Sequence, residues 1–207
     1  MEYLVLALIW GGYCILHSFL ISISFTKVVT RLLKKYYAFY RIFYVLVSIL
    51  LLIPLINYTF QLDNEIIVTY TQPWSLIRYV LILSSVAMMF WAFFFNYDPL
   101  SFFGIRQIQN FIKGNKTNSF GEIKKAGLLR ITRHPMYFAL LVFLWCQTFT
   151  KADLVVNTVL TIYIIVGTML EEKKLLLEFG DAYVQYQQEV PMLIPFTKRK
   201  NAILKNT

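Results

Sequence analysis

The chain has 207 residues, 58% of them apolar and 17% aromatic, with a formal net charge of +9. Such a composition is too apolar for a soluble domain of this size, and the length holds no more than one or two units. Nucleic acid is not the expected partner of the positive charge, because the basic residues sit between long apolar runs and none of the usual nucleic-acid motifs occurs.

Met1-Glu2-Tyr3 lacks the basic leader of a secretory signal, so the first apolar run is expected to stay in the mature protein as a helix. Runs long enough to cross a bilayer fall at residues 3–23, 40–60, 74–95, 135–150 and 154–170. The expected fold is an all-α integral membrane protein with five transmembrane helices, residues 1–95 forming a three-helix N-terminal part. Lys27, Arg31, Lys34, Lys35 and Arg41 crowd the first connection, whereas the second, around Asp63 and Glu65, has no basic residue before Arg78. Arg106, Lys113, Lys116, Lys124, Lys125, Arg130 and Arg133 crowd the third, and Lys198, Arg199, Lys200 and Lys205 the tail. The positive-inside rule therefore puts the N-terminus outside and the C-terminus in the cytoplasm.

Within the third connection, residues 107–125 read as a polar cytoplasmic loop around Lys113-Gly114-Asn115-Lys116-Thr117-Asn118. The last two runs are short and separated by Lys151-Ala152-Asp153, which predicts a tight antiparallel hairpin. His134 and Glu171 lie at nearly equal counts on either side of Ala152, so at about 1.5 Å per helical residue both arrive near the cytoplasmic interface. His134-Pro135 also reads as a helix start, since proline suits the first turn and restricts the residue before it. Beyond Glu172 a C-terminal helix and tail turn polar, and the pair Pro191 and Pro195 is expected to lay that segment across the interface as a lid.

Each of these residues also has a plain structural reading. His134 could serve only as a cap, Arg133 as a positive-inside anchor, Glu172 before Lys173-Lys174 as a solvated helix end, and His17 beside Ser18 as an interhelical hydrogen bond. Tyr36, Tyr37, Tyr40 and Tyr44 read as an interfacial aromatic belt. Cys14 and Cys146 fall inside apolar runs as small fillers, and no metal-ligand spacing occurs.

Arg133-His134-Pro135-Met136-Tyr137, Glu171-Glu172, Phe179-Gly180-Asp181-Ala182-Tyr183-Val184-Gln185-Tyr186 and the closing residues 190–195 resemble the signature of membrane methyltransferases typified by isoprenylcysteine carboxyl methyltransferase and the phospholipid methyltransferases. With His17-Ser18 and Phe103-Gly104-Ile105-Arg106-Gln107 added, nearly the whole chain resembles the methanethiol S-methyltransferase branch, which is related to the NnrU proteins.

The resemblance implies an S-adenosylmethionine-dependent methyltransferase of a prokaryotic cell membrane, with residues 127–195 as the cofactor-binding part. On that reading His134, Pro135, Tyr137, Glu171, Glu172, Tyr183 and Tyr186 are the expected cofactor residues, with Glu171 favoured over Glu172. Arg133 and Arg106 are candidates to favour a thiolate, and His17 or His134 to take its proton, with a cofactor role favoured for His134. No glycine-rich nucleotide loop is present, so the cofactor is not expected to be held in a Rossmann manner. The expected acceptor is a small hydrophobic thiol such as methanethiol, reached through membrane lipid. A lipid or prenylated carboxylate, or a non-enzymatic membrane role, is the alternative.

Overall fold

A computed structural model describes residues 1–62, 65–114 and 125–197. Asp63, Lys116, Lys124 and the basic tail from Lys198 onward, all read above as topology signals, lie outside the described residues.

Helix α1 (Glu2–Ile21) leads into α2 (Ile23–Leu33), a 3-10 turn (Lys34–Phe39) and α3 (Tyr40–Gln61). A short strand β1 (Ile66–Val68) precedes α4 (Trp74–Trp91), which ends in a π turn (Ala92–Asn96). Then come α5 (Pro99–Phe102), α6 (Ile105–Lys113), α7 (Pro135–Trp145), β2 (Phe149–Thr150), α8 (Lys151–Phe179) and α9 (Asp181–Glu189). Among the described residues four helical stretches are long and apolar enough to cross a membrane: Glu2–Ile21, Ile23–Gln61, Trp74–Asn96 and Lys151–Phe179. Leu8, Leu50 and Leu83 are each more than 60% exposed. Large aliphatic side chains turned outward on such helices suit hydrocarbon rather than water.

Inside, Leu6 and Trp10 of α1 pack with Leu62 and with Ala152 and Val156 of α8. The Trp10 indole donates to Thr59 Oγ1 at 3.1 Å, which ties α1 to α3 without leaving the buried N–H unpaired. Tyr40 and Tyr44 correct the aromatic-belt expectation. Tyr40 is buried and donates to the Leu20 carbonyl at 2.7 Å, and Tyr44 reaches His17, while Tyr36 stays exposed.

The run at 135–150 does not form one helix. Helix α7 stops at Trp145, the chain turns at Cys146 and Gln147, and it then enters β2, pairing antiparallel with β1 as Ile66↔Thr150 and Val68↔Phe149. Helix α8 already begins at Lys151, under a capping box between Thr150 and Asp153, so the reversal lies before Lys151 rather than at Lys151-Ala152-Asp153. The carbonyls freed where α7 ends find partners. Asn157 donates to the Leu144 carbonyl at 3.0 Å, Tyr70 to Trp145 at 3.3 Å, and Arg78 Nε to Cys146 at 3.0 Å. A cation at a helix C-terminus is favourable on charge grounds as well, which accounts for an arginine inside the apolar run of α4.

At the other end α6 makes the start of the expected loop at 107–125 helical, while residues 115–124 lie outside the described residues. Asp98 caps α5, Gly104 turns the corner at φ +87°, and α6 runs to Lys113. The corner docks on the start of α3, where Arg41 Nε donates to the Phe102 carbonyl at 2.9 Å. A Cβ added to Gly104 would stand 2.8 Å from Ile42 N and 3.1 Å from Arg41 Cβ. Gly104→Ala is therefore expected to destabilise the protein by roughly 1–3 kcal/mol through positive φ and backbone clash together. Thermal unfolding in detergent checks this, and an unchanged midpoint contradicts the docking.

Candidate functional site

Three local devices assemble the site. Pro135 starts α7 and leaves His134 just outside it, at φ −125° and ψ 64°. Gly180, at φ +54°, breaks the helix after Phe179 and sends α9 back along α8. Finally, residues 132–134 lie alongside the tail as a strand-like strap. Arg133 N donates to the Pro191 carbonyl at 3.0 Å, His134 N to Met192 at 3.2 Å, and Thr132 Oγ1 to Leu193 at 2.9 Å.

Glu172 is the centre of this arrangement. Arg133 grips its carboxylate bidentately, Nε to Oε1 at 2.8 Å and Nη2 to Oε2 at 2.6 Å. His134 Nε2 donates to Oε1 at 2.8 Å, Tyr183 OH to Oε1 at 2.7 Å, and Gln187 Nε2 to Oε2 at 2.7 Å. Arg133 Nη1 turns away from the acid to the carbonyls of Gln187 and Val190. Helix α8, the start of α7, α9 and the tail thus meet on one buried carboxylate. A charge in such a place is tolerated because each of its lone pairs has a donor. The solvated-end reading of Glu172 is corrected, since its side chain is 9% exposed. The anchor reading of Arg133 is corrected too: it is buried at 5%, and its guanidinium is committed to Glu172 and the tail instead of to lipid headgroups or a thiolate.

Glu171 is one residue earlier and faces elsewhere. Its side chain is 32% exposed, and Oε2 lies 3.9 Å from His134 Nδ1. Both residues line a half-open cavity of about 240 Å³, together with Tyr97, Tyr183 and Tyr186. Leu129, Leu175 and Phe179 supply its apolar wall. Tyr137 stacks on the His134 ring at 5.6 Å between centroids and directs its hydroxyl to Glu171. The phenols are neutral donors: burial, then the Glu172 carboxylate, raises Tyr183, and burial above all pushes Tyr186 up to about 12. Tyr186 donates to the Leu129 carbonyl at 2.5 Å, pinning α9 to the segment before α7.

Of the residues singled out from sequence, Arg133, His134, Glu171, Tyr183 and Tyr186 line this cavity, while Pro135, Tyr137 and Glu172 stand behind its wall. His17 and Arg106 are not brought to it. His17 joins α1 to α3, with Nε2 2.6 Å from Tyr44 OH and Nδ1 3.2 Å from Ser48 Oγ, and Ser18 reaches Tyr163 at 3.4 Å. Arg106 pairs with Asp98, and with Ser101 it holds the Asp98 carboxyl down at about 2. Sequence reading missed Asn96 and Tyr97, which the π turn delivers to the cavity, and Gln187. A polar residue closing the run Phe93-Phe94-Phe95-Asn96 was the available signal for the first.

Glu172→Ala is expected to cost about 3–5 kcal/mol, because it leaves the Arg133 guanidinium buried without its counter-charge. Arg133→Ala should cost a similar amount, and the double variant clearly less than the two together. Unfolding midpoints in detergent measure the cycle, and strict additivity contradicts a shared interaction.

The family described as NnrU protein matches residues 3–192. Methanethiol S-methyltransferase 1 of Bradyrhizobium diazoefficiens is 39% identical over 97 residues, 46% of this chain and 34% of that protein. The methanethiol S-methyltransferase of Crocosphaera subtropica is 38% identical over 100 residues, 48% of this chain and 39% of the relative. That of Pseudomonas deceptionensis is 39% identical over 98 residues, 47% of this chain and 37% of the relative. The similarity thus covers well under two thirds of these curated relatives. No solved structure matches the chain significantly. With the family match running from the first helix through the strapped tail, the chain belongs to the NnrU protein family.

Proposed function

We propose that this protein is an integral membrane methyltransferase that uses S-adenosylmethionine to methylate a small thiol, with methanethiol giving dimethyl sulfide as the leading reaction. The observation that carries the reading is the division of labour between two adjacent acids: Glu172 is saturated by its buried donors, while Glu171 turns a carboxylate to the cavity beside His134. An ionised acceptor in such a place suits an ammonium or a ribose diol. The phenol faces of Tyr97 and Tyr183 suit a cation or a flat ring. The names of the curated relatives support the thiol as acceptor.

The donor, when bound, supplies a methyl group already activated on a sulfonium, so the chain's own task is alignment and exclusion of water. Glu171 and His134 orient the donor's polar groups. The Glu172 hub fixes His134 by taking its Nε2–H, and α9 with the strapped tail walls one side of the half-open cavity. Arg133 and Arg106 are each committed to an acid, so neither is assigned the thiolate. His17 is assigned to the helix interface.

In the membrane we read α7 with its continuation through β2 as a fifth crossing, forming with α8 a hairpin whose feet meet at the site. Irregular backbone at membrane depth is tolerated when protein satisfies it, as Arg78, Asn157 and β1 do here. Lys27, Arg31, Lys34, Lys35, Arg41 and Arg106 gather at the end where α1, α3 and α4 meet α5, which supports a cytoplasmic site, an external N-terminus and a cytoplasmic C-terminus, and the bacterial relatives support a prokaryotic cell membrane.

Purified protein incubated with methyl-labelled S-adenosylmethionine and, separately, methanethiol, a phospholipid and a prenylated cysteine is expected to yield labelled dimethyl sulfide. Label in the lipid or the prenylcysteine instead would reassign the acceptor. Absence of both transfer and saturable donor binding would refute an enzyme and leave a membrane subunit or carrier. Glu171→Ala should weaken donor binding by roughly 10–100-fold while moving the unfolding free energy by no more than about 0.5 kcal/mol, the opposite of Glu172→Ala.

A further inference from the structure

Asn96 stands at the last position of the π turn that closes α4. Wide turns of this kind are rare and gather at functional sites, because the extra residue moves a side chain out of the helical register. Asn96 lines the cavity, yet its Nδ2 is buried without a hydrogen-bond partner. Burying a donor unpaired is unfavourable, and native structures rarely keep one without a use. A terminal amide turns about χ2 in a broad well, so a modest rotation presents this donor to a ligand.

The surroundings indicate which part of a ligand it meets. Charged or hydroxylic groups are matched by Glu171 and His134, and the guanidinium of Arg133 is occupied by Glu172 and the tail. The rest of the cavity lining is neutral: the phenols of Tyr97, Tyr183 and Tyr186 and the apolar wall of Leu129, Leu175 and Phe179. A carboxamide offers a donor and an acceptor side by side. An adenine edge offers the complement, a ring nitrogen beside the exocyclic amine, and paired bonds of this type discriminate purines.

We propose that Asn96 is a specificity-determining residue that reads the adenine ring of the methyl donor, Nδ2 donating to a ring nitrogen while Oδ1 accepts from the exocyclic amine. The assignment rests on the reading of the cavity as an S-adenosylmethionine site.

Calorimetric titration of the purified full chain with S-adenosylhomocysteine and with its 1-deaza and 7-deaza counterparts tests it, because each analogue removes one ring acceptor and little else. One of the two is expected to bind the wild type about tenfold more weakly than the parent compound. Asn96→Ala should bind the parent about tenfold more weakly and lose the discrimination, and Asn96→Asp, which keeps the shape but removes the donor, should lose it as well. Equal binding of all three compounds by the wild type, or discrimination kept in both variants, would overturn the role of Asn96 and leave the methyl-donor reading intact. No binding of the parent compound would overturn both. If neither variant folds, the wild-type series decides alone.

Discussion

A single buried carboxylate organises the C-terminal half of this protein. Glu172 takes donors from Arg133, His134, Tyr183 and Gln187, and through Arg133 the tail carbonyls are drawn onto the same point. The balance is between a desolvation cost of several kcal/mol for each ion and a set of short, charge-assisted bonds that meets it. Once that balance is struck, the start of α7, the end of α8, α9 and the tail have one arrangement. Glu171, one residue earlier on the helix, then faces the cavity and Tyr137 and takes no part in the buried hub.

At the opposite end the same economy of polar groups explains how so short an apolar helix can end. Helix α7 leaves carbonyls without helical partners where it stops, and Arg78, Asn157 and Tyr70 supply the missing donors from three other segments. The pairing of β1 with β2 does the same for the extended stretch. With α7 and α8 joined in this way, His134 lies level with the two acids, 2.8 Å from Glu172 and 3.9 Å from Glu171.

Much of this was legible in the sequence where polar residues interrupt apolar runs. Arg133, His134 and Glu171 stood out for that reason, Tyr183 and Tyr186 through the family resemblance, and counting residues on either side of Ala152 placed His134 beside Glu171. Other features depend on partners remote in sequence. Successive helical residues differ by about 100°, so which of Glu171 and Glu172 is buried depends on where Gly180 sends α9. Hydropathy counts apolar side chains without regard to backbone pairing, so residues 146–150 passed for helix although Ile66 and Val68 hold part of them extended. A π turn has no hydropathic signature, and Asn96 was counted as the edge of a span. Tyr40 and Tyr44 match an interfacial belt in composition, and only the approach of α1 shows them turned inward.

The central claim is that Glu172 holds the site together while Glu171 serves the ligand. An experimentally determined structure with saturating S-adenosylhomocysteine tests it most directly. The account predicts ligand in the cavity with its ammonium or ribose on Glu171, and the Arg133–Glu172 pair unchanged. Ligand bonded to Glu172 with Arg133 displaced, or bound away from both acids, would contradict it.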